Sequence, residues 1–353
     1  MKEVKIGIAG GGKIGKAIYH LLIDGNICND VTIADIRPRP EDIPEGDYIQ
    51  TDGTFADFVR DRTLVINALP HTMNRELWKA CVKNKVAYFD MSEDEDLDTD
   101  LGMQNANVYG RSSEKIPFTM PHCGLAPGMS TVIASSLLRG KKKVEDIKIR
   151  VGALSSHATN KLKYHTSWSG DGLVNEYRGD CQVIKDGRLS QVTALKDYER
   201  IVLDGAEYEA FNTSGGIGTF AYTLSDKYPN LSANYKTLRR VGHHDYVDFL
   251  FNDLGLPEHK LIDIFKNHVP TTQNDSVIIY VKVDDKEYYK KFEPTVIAGR
   301  RYTAIEATTA VGLVSMVELY LDGKTPDVGY FKQEDVKFED VLNTTYGELY
   351  YNV

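Results

Sequence analysis

Apolar positions along the chain fall into short closed runs separated by turn residues. Val4 to Ala9 predicts a strand, the turn Gly10 to Gly15 follows at once, and Lys16 to Ile23 places Ala17, Ile18, Leu21 and Leu22 on one helical face. Val31 to Ala34 predicts a second strand, ending in Asp35. The rhythm continues with a buried-type strand from Thr63 to Leu69, a helix from Arg75 to Lys83 and a strand from Val86 to Phe89, ending in Asp90. Pro117 to Met120 predicts another strand, running into Pro121-His122-Cys123-Gly124. Strands alternating with helices in this way predict an α/β unit built on a doubly wound parallel sheet.

Beyond a helix predicted from Pro127 to Arg139, the pattern changes. Asp146 to Val151, Gln182 to Ile184 and Glu199 to Leu203 are strand-like, and Ser276 to Val283 turns at Asp284-Asp285 into Glu287 to Phe292 as a hairpin. This reads as an α+β unit, mostly antiparallel. A closing helix from Thr303 to Leu321 is apolar enough to be largely buried.

Composition narrows the class. The 353 residues predict about two domains, and 42% apolar with 26% charged residues is ordinary globular usage. With 42 Lys and Arg against 51 Asp and Glu the net charge is −9, which offers no global attraction to nucleic acid or an anionic membrane. No apolar run approaches the ~20 residues of a bilayer span, and the first residues read as a strand rather than a signal peptide. Cys28, Cys81, Cys123 and Cys181 form no CxxC pair, which fits reduced thiols in a cytoplasmic protein and predicts no zinc site. The acidic stretch Ser92 to Asp100 lacks the pattern of a calcium loop and reads as solvated.

Strand, glycine turn, helix, strand and acid follow in the order that a dinucleotide-binding (Rossmann) unit requires. Gly10 permits the tight turn, Gly12 lets the backbone approach a pyrophosphate, and Gly15 lets helix and strand pack closely. The helix N-terminus offers unpaired N–H groups and a positive dipole end. With Lys13 and Ile14 inside it, this turn is the candidate cofactor loop. Asp35 would accept hydrogen bonds from ribose hydroxyls, which favours NAD, whereas Arg37 could hold a 2′-phosphate and keeps NADP open. Ligands of open parallel sheets bind beyond the carboxyl ends of the strands. Asn67, Ala68, Pro70 and His71, then Asp90, His122, Cys123 and Gly124, are the candidates there.

Several blocks carry a resemblance: His122-Cys-Gly-Leu-Ala-Pro-Gly-Met-Ser130, Trp168-Ser-Gly-Asp-Gly-Leu-Val-Asn-Glu-Tyr177, Thr213-Ser-Gly-Gly216 and Tyr235-Lys-Thr-Leu-Arg-Arg-Val-Gly-His243. Together with Gly10 to Gly15, Asn67 to Pro70, Phe89-Asp-Met91 and Thr303 to Thr309, they resemble the saccharopine dehydrogenase family, particularly its lysine 6-dehydrogenase-like branch. The resemblance implies a Rossmann domain over residues 1–125, an inserted α+β substrate and dimerisation domain over 126–300, and a segment over 301–353 that returns to the first domain. It also implies NAD or NADP as cofactor, oxidation or reductive formation of a C–N bond at an amino-acid or diamine substrate, as in lysine metabolism, and a homodimer through the middle sheet. Asp171-Gly172 and Arg240-Val241 depart from the lysine-dehydrogenase pattern and leave the substrate open.

Amine oxidation by hydride transfer needs a neutral amine and a proton acceptor. His243 and His244 are the candidates for the acceptor, because histidine titrates near neutral pH. Arg239 is the candidate for a substrate carboxylate, with Tyr177 and Thr213 as hydrogen-bond donors to the amino-acid end. Asp90 either holds the substrate ammonium or caps its own loop. Cys123 reads as a small packing residue beside the cofactor rather than an aldehyde-dehydrogenase-type thiolate. Within the same fold, reductive condensation of an aldehyde with an amine (a carboxynorspermidine-type synthase) is an alternative, and an NAD-binding protein without turnover is the rival of a different class.

Overall fold

The computed structural model describes residues 4–92, 97 and 116–352. Apart from Ser92 and Leu97, the acidic stretch read as solvated lies outside the described residues.

Six strands form the first sheet: β1 (Ile6–Ala9), β2 (Val31–Asp35), β3 (Tyr48–Gln50), β4 (Leu64–Asn67), β5 (Ala87–Asp90) and β6 (Thr119–Met120). Their order is β3-β2-β1-β4-β5-β6 and every pairing is parallel. The strands β1, β2, β4 and β5 are buried along their whole length, which is why they read as continuous apolar runs rather than alternating ones. Helices α1 (Lys13–Asp24), α2 (Ala56–Val59) and α3 (Asn74–Asn84) connect them. The order reverses between β1 and β4, the switch point at which a dinucleotide binds in this architecture.

From α4 (Met129–Leu138) the chain builds a mixed sheet from β7 (Asp146–Ser155), β8 (Asp180–Lys185), β9 (Arg188–Thr193), β10 (Glu199–Leu203), β11 (Ala206–Asn212), β12 (Ser232–Arg240), β13 (Asp275–Val283) and β14 (Lys286–Phe292). The main path is β10-β11-β12-β7-β13-β14, with β8 joining β12 to β9. Strands β7 and β12 run parallel, Asp146 opposite Ser232, and the remaining pairings are antiparallel. Four short helices, α5 (Gly170–Glu176), α6 (Phe220–Leu224), α7 (His243–Asp248) and α8 (Glu258–Asp263), lie in the connections. A small hairpin, β15 (Thr295–Ile297) with β16 (Arg300–Tyr302), leads into α9 (Ala304–Leu321).

Helix α9 begins with a capping box, Thr303 accepting from the Glu306 N–H and Glu306 from the Thr303 N–H, and the Asp275 carboxylate accepts from the N–H groups of Ala304 and Ile305. The helix packs against α1 and β13. With mean hydropathy 1.4 over 18 residues it is long and apolar enough to cross a membrane, so the run-length exclusion does not hold for it; 67% of it is buried inside the protein. Beyond it, Val328 and Tyr330 bridge to Pro117 and Thr119, adding the C-terminal segment to the β6 edge of the first sheet. A final helix, α10 (Phe338–Leu342), packs on α9. All four cysteines are buried with free thiols.

Candidate functional site

The glycine turn is shaped by two different demands. Gly10 has φ +103°, and a Cβ there would lie 2.7 Å from the Ala68 carbonyl oxygen; one on Gly15 would lie 1.9 Å from the Gly10 oxygen. Both are therefore required by the fold itself. Gly12 differs. Its φ is −71°, open to any residue, and a Cβ there would meet only the flexible end of Arg37 at 3.5 Å. The space over Gly12 is thus left free at the N-terminus of α1, where no side chain caps the helix and no acid occupies the first turn. The residues present fit a dinucleotide pyrophosphate, which would take the free N–H groups at that end.

Asp35, at the end of β2, is nearly buried. Its carboxylate accepts from the Gly11 N–H at 2.6 Å, from the Arg37 N–H at 2.8 Å and from the Arg37 guanidinium at 2.7 and 3.0 Å. Burial alone would raise this acid; the Arg37 and Gly11 hydrogen bonds outweigh it and hold the carboxyl at about 2. Arg37, Lys13 and Lys16 line the adjoining cleft with Gly11, Gly12, Pro38, Pro40 and Tyr48.

At the end of β4, Asn67 is buried, its amide donating to Asn74 and the Tyr88 hydroxyl and its carbonyl accepting from the Leu69 N–H. Ala68 packs its carbonyl on Gly10, Pro70 is exposed and His71 half-buried. Asp90 is fully buried at the end of β5 and accepts from the backbone N–H groups of Ser92 (3.2 Å) and His122 (2.9 Å). Of its two readings, ammonium holder or loop cap, this geometry is that of the cap. Cys123 is buried, donates to the Met120 carbonyl at 3.1 Å and lies beside Gln333 of the C-terminal segment. Burial, with the nearby Asp90 charge, pushes its thiol well up, which suits packing and not a thiolate nucleophile. Gly124 is small for a reason within the fold: a Cβ would lie 2.9 Å from the Met91 carbonyl oxygen.

The second domain meets this loop through Lys13, whose ammonium donates to the Ser167 carbonyl at 3.2 Å and lies 3.9 Å from Glu306. Next to Ser167, Trp168 donates its indole N–H to the Tyr164 hydroxyl at 3.1 Å, and Ser169 caps α5 by accepting from the Gly172 N–H. The Arg239 guanidinium, on β12, lies 5.4 Å from the Tyr164 ring centre and 5.5 Å from that of Tyr177. Register explains the position. Arg239 sits opposite Glu209 on β11 and shares a sheet face with Tyr235 and Thr237, four and two residues before it.

Arg239 is engaged at two of its three nitrogens. Its Nε donates to the Tyr177 hydroxyl (2.7 Å), and its Nη1 donates to Thr237 (2.5 Å) and the Leu238 carbonyl (2.9 Å). Only Nη2 is left, 3.6 Å from Glu176. Arg239 is only 2% exposed, which leaves Nη2 alone to meet any further carboxylate. Tyr177 passes the chain on, its hydroxyl lying 2.9 Å from His243 Nε2, while His243 Nδ1 donates to the Leu162 carbonyl at 2.7 Å. Burial, reinforced by Arg239, pushes His243 down to about 3. Both its nitrogens are used and none of it is exposed, so the ring is held neutral in the interior. His244 points elsewhere: its Nε2 meets the Leu195 carbonyl at 2.7 Å, its ring packs edge-on to Phe211, and its N–H, with that of Gly242 beside it, is capped by buried Glu209. Thr213 is buried on the loop after β11, with no hydrogen-bond partner for its hydroxyl among the described residues.

The group that the sequence reading missed is Glu176, the last residue of α5. Its side chain is 23% exposed. Burial raises its carboxyl to about 7 while the Arg239 charge opposes the shift. It lies within the Trp168 to Tyr177 block, but nothing in the sequence distinguishes it from a solvated acid at the end of a short helix.

The first domain matches the family model described as saccharopine dehydrogenase NADP binding domain over residues 6–107, and the remainder matches saccharopine dehydrogenase C-terminal domain over 124–350. Among solved structures, saccharopine dehydrogenase (L-Glu forming) from Saccharomyces cerevisiae is similar at 14% identity and TM-score 0.65, covering 96% of this chain and 97% of that one. A probable dehydrogenase from Thermotoga maritima has 12% identity and TM-score 0.45, covering 96% and 94%. A mutant meso-dapdh from Clostridium tetani has 12% identity and TM-score 0.44, covering 98% of each chain.

Proposed function

The chain belongs to the saccharopine dehydrogenase family, a family of nicotinamide-dependent oxidoreductases, and from that premise we propose that it acts on the C–N bond of an amino acid. The substrate class is a lysine-like or saccharopine-like diamino acid. NAD is the cofactor, with NADP admitted through Arg37. The observation that supports this reading is the Lys13 to Ser167 hydrogen bond, which ties the glycine turn to the segment that carries Trp168.

When bound, the nicotinamide supplies the acceptor for two electrons and a hydrogen from the carbon that bears nitrogen. The chain's own residues do the rest. Gly12 and the α1 N-terminus hold the pyrophosphate, and Asp35 with Arg37 receives the adenosine ribose. Trp168 and Tyr164 wall the substrate off from water, which strengthens every charge interaction inside. Asp90, His243 and Arg239 keep the surrounding loops in place without touching substrate.

The test is a reduction screen of NAD and NADP over lysine, saccharopine, ornithine and simple diamines, with NADH and NADPH oxidation over aldehyde–amine pairs. Turnover of a diamino acid supports the reading. Activity confined to the aldehyde–amine pairs would instead make the protein a reductive condensing enzyme, and binding of NADH without any turnover would make it a non-catalytic binder.

A further inference from the structure

We propose that the Glu176 carboxylate is the proton acceptor of the reaction, taking one proton from the substrate ammonium before the adjacent carbon gives up its hydride. This role rests on the oxidoreductase reading above.

Geometry singles Glu176 out. Its backbone is pinned, since the Ser214 N–H donates to its carbonyl at 3.0 Å and the Ser214 hydroxyl to the Asn175 carbonyl at 3.1 Å. The loop that begins at Ser214 runs past Tyr235, whose ring a Cβ on Gly216 would overlap. It reaches Gly218, which lies against His122 and Pro127 at the carboxyl end of the first sheet. Five residues, Ser214 to Gly218, therefore connect the Glu176 backbone with the strand ends where the nicotinamide half of a dinucleotide belongs. Arg239 faces the carboxylate from β12 at 3.6 Å, beyond hydrogen-bond length, and cannot swing away without breaking three buried hydrogen bonds.

The other titratable groups around it are phenols: Tyr235 from β12, Tyr164 from the preceding loop and Tyr177 from its own helix. Burial pushes all three up, so they stay neutral and leave Arg239, among the described residues, as the one charge that opposes desolvation of the acid. A carboxylate titrating at about 7 is matched to general-base work at neutral pH. The balance is simple. The ammonium loses H⁺ to Glu176, and the freed nitrogen lone pair drives hydride from carbon to the nicotinamide. The iminium product leaves, and Glu176 returns its proton to water.

The experiment measures kcat/KM against pH for the amine found in the screen, using the full-length wild type, E176Q and E176D, with NADH affinity followed by fluorescence. E176Q is expected to lower kcat/KM by roughly 100-fold or more and to remove the inflection near neutral pH. Its NADH affinity stays within about 2-fold, the scale expected of a group off the dinucleotide. E176D, which keeps a carboxylate, retains an inflection and part of the rate. An inflection that persists in E176Q, or an NADH affinity lost along with activity, overturns the role. Absence of turnover in the wild type removes the functional reading together with this role. Turnover in the wild type with an unchanged E176Q profile removes the role alone.

Discussion

Arg37 grips Asp35 at two points, Nε 3.0 Å from Oδ1 and Nη2 2.7 Å from Oδ2. The acid that would receive a ribose diol is thus already ion-paired, and the arginine paired to it is 60% exposed toward the cleft. A 2′-phosphate could draw the guanidinium off Asp35, whereas a bare ribose would share Asp35 with it. Arg37→Ala should therefore raise KM for NADP about tenfold or more, the loss of one charge-assisted contact of roughly 1.5–3 kcal/mol. KM for NAD should change by less than about threefold, the size of a weak polar contact. Initial rates with both dinucleotides decide it, and equal losses would mean that Arg37 does not reach the 2′ position.

The glycine turn separates fold from ligand. Gly15→Ala sets a methyl 1.9 Å from the Gly10 carbonyl oxygen and should destabilise the protein by several kcal/mol, as overpacking against backbone does. Gly12→Ala meets no backbone and should fold with an unchanged melting temperature while losing dinucleotide affinity. Thermal melts paired with NADH titration check both. A Gly12→Ala protein that binds NADH normally would remove Gly12 from the pyrophosphate site.

Much of this was legible in the sequence because it is local. The strand, turn, helix and acid of the first 35 residues announce themselves by apolar runs and glycine spacing, and the structure builds them as β1, α1 and β2 in a sheet of order β3-β2-β1-β4-β5-β6. Strand β12 was harder. It overlaps the Tyr235 to His243 block, where Lys236, Arg239 and Arg240 interrupt the apolar pattern; Lys236 is nonetheless buried because it pairs with Glu199 on β10, and Arg239 because it donates to Tyr177 at the end of α5. Roles suffered for the same reason. His243 and Arg239 carry the right chemistry for a site, but their partners, Tyr177 and Leu162, lie 62 to 81 positions away, and only the fold shows that their capacity is spent. Glu176 reversed the error: its chemistry is ordinary, and burial beside Arg239 makes it distinctive.

Cys123 offers a check on the C-terminal segment. Its thiol is 1% exposed, donates to the Met120 carbonyl and is backed by Gln333, whose amide also donates to the Pro121 carbonyl. With its pKa pushed well up by burial, it should resist iodoacetamide at pH 8 in the native protein and react only on unfolding. Mass spectrometry after alkylation reads this directly. Gln333→Ala should loosen the segment and speed labelling of Cys123, and rapid labelling of the untouched native protein would contradict the packing role.

His243 makes the protein acid-sensitive in a predictable direction. Its pKa falls to about 3 in the folded state, against about 6.5 when unfolded. Above pH 6.5 both states hold the neutral ring and the residue has no pH-dependent effect. Below 6.5 the unfolded chain takes up a proton that the folded one refuses, so stability falls as pH drops from about 6.5 toward 3, by up to a few kcal/mol. His243→Asn should be less stable than wild type at pH 8 by roughly 2–3 kcal/mol, through the lost Tyr177 and Leu162 hydrogen bonds. Because asparagine does not titrate, the gap should narrow as pH falls toward 4. Urea midpoints at pH 8, 6 and 4.5 measure it. The same variant should keep the neutral-pH inflection in kcat/KM, as should His244→Asn, since the His243 imidazole is bonded to Tyr177 and the Leu162 carbonyl and that of His244 to the Leu195 carbonyl. A stability gap that stays constant with pH would show that His243 is not held neutral, and loss of the inflection would return the proton acceptor to a histidine.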